Sequence, residues 1–146
     1  MANHPQALKR AKQSERARVR NMAVKSRIRT RVRALRYAVD SIETLRSGKS
    51  IHPQEVEKHL RWVTTNKVAD LKRIGFAGAT KEAAALLKSY DAGKHETFLQ
   101  GLAQADLKES VQLIDKAASK GVYHRRTASR KISRLTTMVN GVDPLK

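Results

Sequence analysis

The chain has no cysteine. That absence excludes disulfides, thiolate zinc sites and cysteine nucleophiles, and it says little about redox compartment. Proline and glycine are scarce, with three and seven among 146 residues, so few positions force the backbone to break. Aromatics are 4% of the chain, which argues against reading single-stranded nucleic acid by base stacking. No run of 18 apolar residues occurs, so no segment is expected to span a membrane. Acids are few as well: 13 Asp and Glu stand against 31 Lys and Arg.

What is present is Ala, Lys, Arg and a modest apolar set. Ile, Leu, Val and Phe number 32, near the lower limit for a good core, and Ala adds 19. No alternating β-branched run is seen, so the expected fold class is all-α with a thin core and no sheet.

The excess positive charge lies at two ends. Residues 1–36 carry twelve Lys or Arg against the single acid Glu15. Residues 116–134 carry seven more and no acid, while 37–115 are balanced at eleven of each sign. Like charges three and four residues apart weaken an isolated helix, so such a density makes sense beside a polyanion. Two basic ends around a neutral middle suggest one extended anionic partner gripped at two places. The Arg-rich start also resembles a mitochondrial presequence, but a presequence would not need the matching basic stretch at the other end.

From Gln6 to Ser47 there is neither Gly nor Pro. Val24, Ile28, Val32, Leu35, Val39 and Ile42 fall four and three apart, which is one stripe of a helix. Before Val24 the apolar residues Leu8, Val19 and Met22 read as scattered. Ser47-Gly48-Lys49-Ser50 is a loop; Ser50 and Pro53 suit the start of a helix ending near Arg73. Gly75-Phe76-Ala77-Gly78 is a turn, and Thr80 is a candidate cap for a short helix over 81–89. A third main helix is expected from 95 to 119, with Leu99, Ala103, Leu107, Val111, Ile114 and Ala118 as its stripe. Lys120-Gly121 suits its end, since Gly tolerates positive φ there. The last helix, about 127–140, carries Ala128, Ile132, Leu135 and Val139.

These stripes predict an antiparallel three-helix bundle with a long basic N-terminal helix and an inserted helical pair. The expected divisions are 1–48 (basic arm and first bundle helix), 49–92 (the inserted pair) and 93–146 (second and third bundle helices). Trp62 sits one residue off its helix's stripe and reads as a core flank or an exposed contact.

No catalytic constellation stands out. His4, His52, His59, His95 and His124 lie on different elements without metal-ligand spacing, so no metal or cofactor is expected. Four of them read as surface or capping residues; His124, in the basic C-terminal stretch, could stack or donate to phosphate. An enzyme is the weakest reading. Recognition of helical RNA by shape and phosphate geometry fits the cation-rich, aromatic-poor composition best. The rivals are a nonspecific DNA-compacting or general polyanion-binding protein, and an amphipathic helix on a membrane surface. The membrane reading lacks the bulky apolar residues it needs.

Two stretches are familiar. Arg10-Ala11-Lys12-Gln13-Ser14-Glu15-Arg16, with Arg18 and Asn21, resembles the N-terminal motif of the bacterial small-subunit ribosomal protein S-twenty family. Ala118-Ser119-Lys120-Gly121-Val122-Tyr123-His124-Arg125, then Thr127-Ala128, Arg130-Lys131 and Ser133-Arg134-Leu135, is similar to its C-terminal motif. The resemblance covers about 2–46 and 91–140. It implies a structural protein, not an enzyme, that binds 16S ribosomal RNA directly and early in assembly. It places such a protein low on the body of the cytoplasmic small ribosomal subunit, approaching the long stem of the 3′ minor domain. No small-molecule substrate and no obligate homo-oligomer are implied. Family members are usually shorter, so 49–92 reads as an unusual insertion. Arg126 stands where Asn is usual and Ile132 where Lys is usual.

The RNA-contact set so implied has two parts. Lys9, Arg10, Lys12, Arg16, Arg18 and Arg20 would neutralise phosphates along the arm, with Gln13, Ser14 and Asn21 donating to phosphate or sugar and Lys25 and Arg27 continuing the row. His124, Arg125, Arg126, Thr127, Arg130, Lys131 and Arg134 would form a second grip, flanked by Lys120 and Ser133.

Overall fold

A computed structural model describes residues 4–47, 54, 56–58, 60, 61, 79–89 and 91–142. The described residues form helices and their connections, with no strand among them. Four helices are delimited: α1 (Pro5–Arg46), α2 (Ala79–Lys88), α3 (Ala92–Ser119) and α4 (Arg125–Val142). Residues 54, 56–58, 60 and 61 are helical too.

The helix ends follow from local chemistry. Pro5 opens α1, where its missing N–H costs nothing, and His4 accepts from the Gln6 amide at 3.3 Å. Asp91 caps α3 by accepting from Gly93 at 2.9 Å and Lys94 at 3.4 Å. Those bonds hold its carboxyl below the ordinary range. At the far end of α3, Gly121 takes φ 69°. Its amide donates to Ala118 O at 3.0 Å and the Val122 amide to Ala117 O at 2.9 Å. This is the Schellman closure that Lys120-Gly121 predicts, with the left-handed residue Gly as that conformation favours. α2 begins at Ala79, so Thr80 lies inside its first turn rather than capping it.

α1, α3 and α4 share one core. Ile28, Leu35, Val39 and Ile42 of α1 meet Leu99, Ala103 and Ile114 of α3 and Ala128, Leu135 and Val139 of α4. Val24, Val32, Leu107 and Ile132 pack against it half-buried. The three predicted stripes therefore bury one another. Ala38, Ala103, Ala117 and Ala128 are buried in the same cluster, and small residues let helix axes approach closely. Polar contacts fix the direction. Arg46 near the end of α1 bonds Glu96 near the start of α3 at 2.7 Å and Val142 O at the end of α4 at 2.8 Å. Arg31, further back on α1, meets Asp106 further along α3. α1 and α3 are thus antiparallel, and α4 returns alongside.

α3 has a second apolar face that its single predicted stripe leaves out. Phe98 and Leu102 are buried against Val56, Leu60, Ala83 and Leu86. The described part of the insertion therefore packs on the N-terminal half of α3. Ser50, His52, Pro53, His59, Trp62, Arg73, Phe76 and the 75–78 turn lie outside the described residues. His95 departs from the surface role expected of it: it is 2% exposed on α3. Burial pushes its imidazole below the usual value.

Candidate nucleic-acid interface

An α-helix advances about 100° per residue, so steps of four and three stay on one face. On α1 that places Lys25, Arg29, Arg33 and Arg36 in a single row beside the core stripe. α4 brings Lys131 and Arg134 to the facing wall. Between them lies an open groove of about 400 Å³ floored by Ile28, Val32, Ile114 and Leu135. Six cations and no acid line it. Tyr123, half-buried in the α3–α4 turn, completes the rim, with the Lys131 ammonium 5.7 Å from its ring centroid. The two basic ends of the sequence thus meet across one groove.

The opposite edge of α1 carries arginines with a different task. Arg31, its side chain 12% exposed, puts Nε 3.0 Å from Glu109 Oε2 and Nη1 3.9 Å from Asp106 Oδ1. Arg27 lies 4.0 Å from Glu109 and stays half exposed. Asp106 and Glu109 are buried on α3. The neutral middle of the chain therefore spends two of its acids inside, where they hold α1 in one rotation and leave the groove row facing out.

At the start of α4, His124, Arg125, Arg126, Ser129 and Arg130 surround a shallow open site. His124 Nδ1 accepts from the Arg126 amide at 3.3 Å, so in the neutral ring Nε2 carries the hydrogen and faces outward. The first-turn amides of α4 add fixed partial positive charge there.

The arm holds the rest. No residue of α1 before Ile28 is buried. Lys9, Arg10, Lys12, Gln13, Ser14, Arg16, Arg18, Arg20 and Lys25 are exposed along it, and Asn21 is half-buried. Arg18 and Glu15 make an exposed pair at 3.6 Å, which contributes little to stability. Lys120, Thr127 and Ser133 are exposed near the α3–α4 turn and on α4. Of the implied contact residues, Lys25, Lys131 and Arg134 come together in the groove, and His124, Arg125, Arg126 and Arg130 at the α4 start. Arg27 instead faces an internal acid. Arg29, Arg33, Arg36 and Tyr123 were absent from the implied set. The 25, 29, 33, 36 spacing was the available signal for three of them; for Tyr123 it was its place in the C-terminal motif.

A helical body with a cation-lined groove and a bare cationic arm defines a class of proteins that hold polyanions. The family profile described as Ribosomal protein S20 matches residues 2–140, and the chain belongs to that family. Among its relatives, the small ribosomal subunit protein bS20 of Oleidesulfovibrio alaskensis is 32% identical over 98% of this chain and 100% of its own length. That of Geotalea uraniireducens is 33% identical over 96% of this chain and 97% of its own. That of Lachnoclostridium phytofermentans is 56% identical over 41 residues, 28% of this chain and 47% of its own. No solved structure matches the chain significantly. Among the described residues, no helix is long and apolar enough to cross a membrane.

Proposed function

We propose that this protein is a structural constituent of the small ribosomal subunit that binds 16S ribosomal RNA directly and stabilises its folded arrangement. It acts without a chemical step. The groove where α1 and α4 bring six cations together with no acid carries the reading. Phosphates from an RNA helix seated there would be neutralised from two walls at once. The core fixes those walls against each other, so the RNA backbone is held in one geometry. The exposed arm and the α4 start extend the grip in two further directions. Family membership and the full-length ribosomal relatives support the same reading. The contact residues are the groove row, the arm cations and the α4 start.

Filter binding over a salt series tests this, using a small-subunit RNA 5′-domain fragment with an unrelated structured RNA and a DNA duplex as controls. The expected result is tighter binding to the ribosomal fragment by about a thousandfold or more, the lower end of the range by which specific sites exceed nonspecific ones. Equal affinity for all three, abolished alike by salt, would make the chain a general polyanion binder.

A further inference from the structure

On α1, Leu8, Ala11, Glu15, Val19 and Met22 are three or four residues apart, so they form one row and are not scattered. Leu8, Val19 and Met22 are 50%, 57% and 63% exposed. Three large apolar side chains thus share one bare face of the arm. The row does not stop at Met22. Its next members are Lys25, Arg29, Arg33 and Arg36, the α1 wall of the groove. From Leu8 to Arg36 one face runs about 42 Å, cationic in its inner half and largely apolar in its outer half.

Whatever lies along this face must be anionic at the groove and offer an apolar-tolerant surface further out. The outer half has rails: Lys12 and Arg16 flank it on one side, Arg18 on the other. Its centre holds Glu15, the one acid among the first 36 residues. A carboxylate aimed at phosphates would repel them, so this row does not face a phosphate ridge.

The minor groove of an A-form helix has the required features. It is wide and shallow, with ribose faces and 2′-hydroxyls on its floor and phosphates along both edges. Ribose faces accept apolar contact, and the 2′-hydroxyl and the guanine amino group are donors that a carboxylate can receive. A protein helix as occupant would leave the flanking cations and the inner half of the row without a counterpart.

We propose that Leu8, Glu15, Val19 and Met22 seat the arm in the minor groove of an RNA helix continuous with the one held at the α1–α4 groove, and that this row distinguishes RNA from DNA. The inference rests on the ribosomal RNA reading above.

The test is the full chain carrying Leu8→Ala, Val19→Ala and Met22→Ala together. Alanine favours helix and no buried contact is lost, so the fold is retained, as circular dichroism will verify. Binding to the 5′-domain fragment should weaken about tenfold from lost apolar burial. The log–log salt slope should not change, because no cation is removed. Affinity for a DNA duplex should also not change. Unaltered affinity for the RNA fragment, or an equal loss on DNA, overturns the inference while leaving the ribosomal RNA reading intact. A wild-type chain that fails to prefer the fragment over the controls overturns both.

Discussion

Neighbouring arginines on α1 are built for opposite purposes. Arg31 turns inward to Asp106 and Glu109, while Arg33 lines the groove. Removing the guanidinium in Arg31→Ala takes the nearer cation away from two buried carboxylates, which should cost about 3 kcal/mol. Urea unfolding should show that loss as a lower midpoint. Arg33→Ala should change stability by less than about 0.5 kcal/mol and lower the salt slope of RNA binding by about one unit or slightly less. Matching effects from the two variants would contradict the division of roles. The charge was legible in the sequence, but the direction each arginine faces was not. Arg27 and Arg31 belong to the same basic run as Arg29 and Arg33. Only the acids on α3, more than seventy residues away, separate the structural ones from those left outside.

Among the elements, α1 was the most legible, because a four-three repeat free of Gly and Pro admits few readings. The end of α3 was legible for a similar reason: Lys120-Gly121 closes as a Schellman turn. α3 itself was half legible. Its stripe through Leu99 and Ile114 is regular, but Phe98 and Leu102 form a second face whose purpose depends on the insertion. His95, buried on the same helix, read as a surface or capping residue because a lone histidine carries no periodic signal. Its lowered affinity for protons has a consequence for pH. The unfolded chain takes up a proton at the ordinary value of 6.5, and the folded one only at lower pH. The stabilisation is therefore present above 6.5 and is lost as pH falls below it. Asp91 acts in the same direction further down, below 3.8, since its cap bonds favour the carboxylate. Urea midpoints should decline between pH 7 and 5 in the wild type and decline less in His95→Leu. Equal slopes in the two proteins would remove His95 as the cause.

At the scale of the molecule, the bundle's task is to bring two distant basic segments to one place. The sequence showed that both ends are basic and that three stripes pack. It did not show that Lys25 to Arg36 and Lys131 to Arg134 face each other, because that needs the rotation of α1 against α4. That convergence is the centre of the account, and the lack of cysteine makes it directly measurable. Single cysteines replacing Ser26 on α1 and Thr127 on α4, both exposed, can each carry a tethered hydroxyl-radical source. With the ribosomal fragment bound, the two probes should cleave overlapping stretches of the same RNA helix. Cleavage in unrelated parts of the RNA would contradict the single groove and leave two independent basic patches in its place.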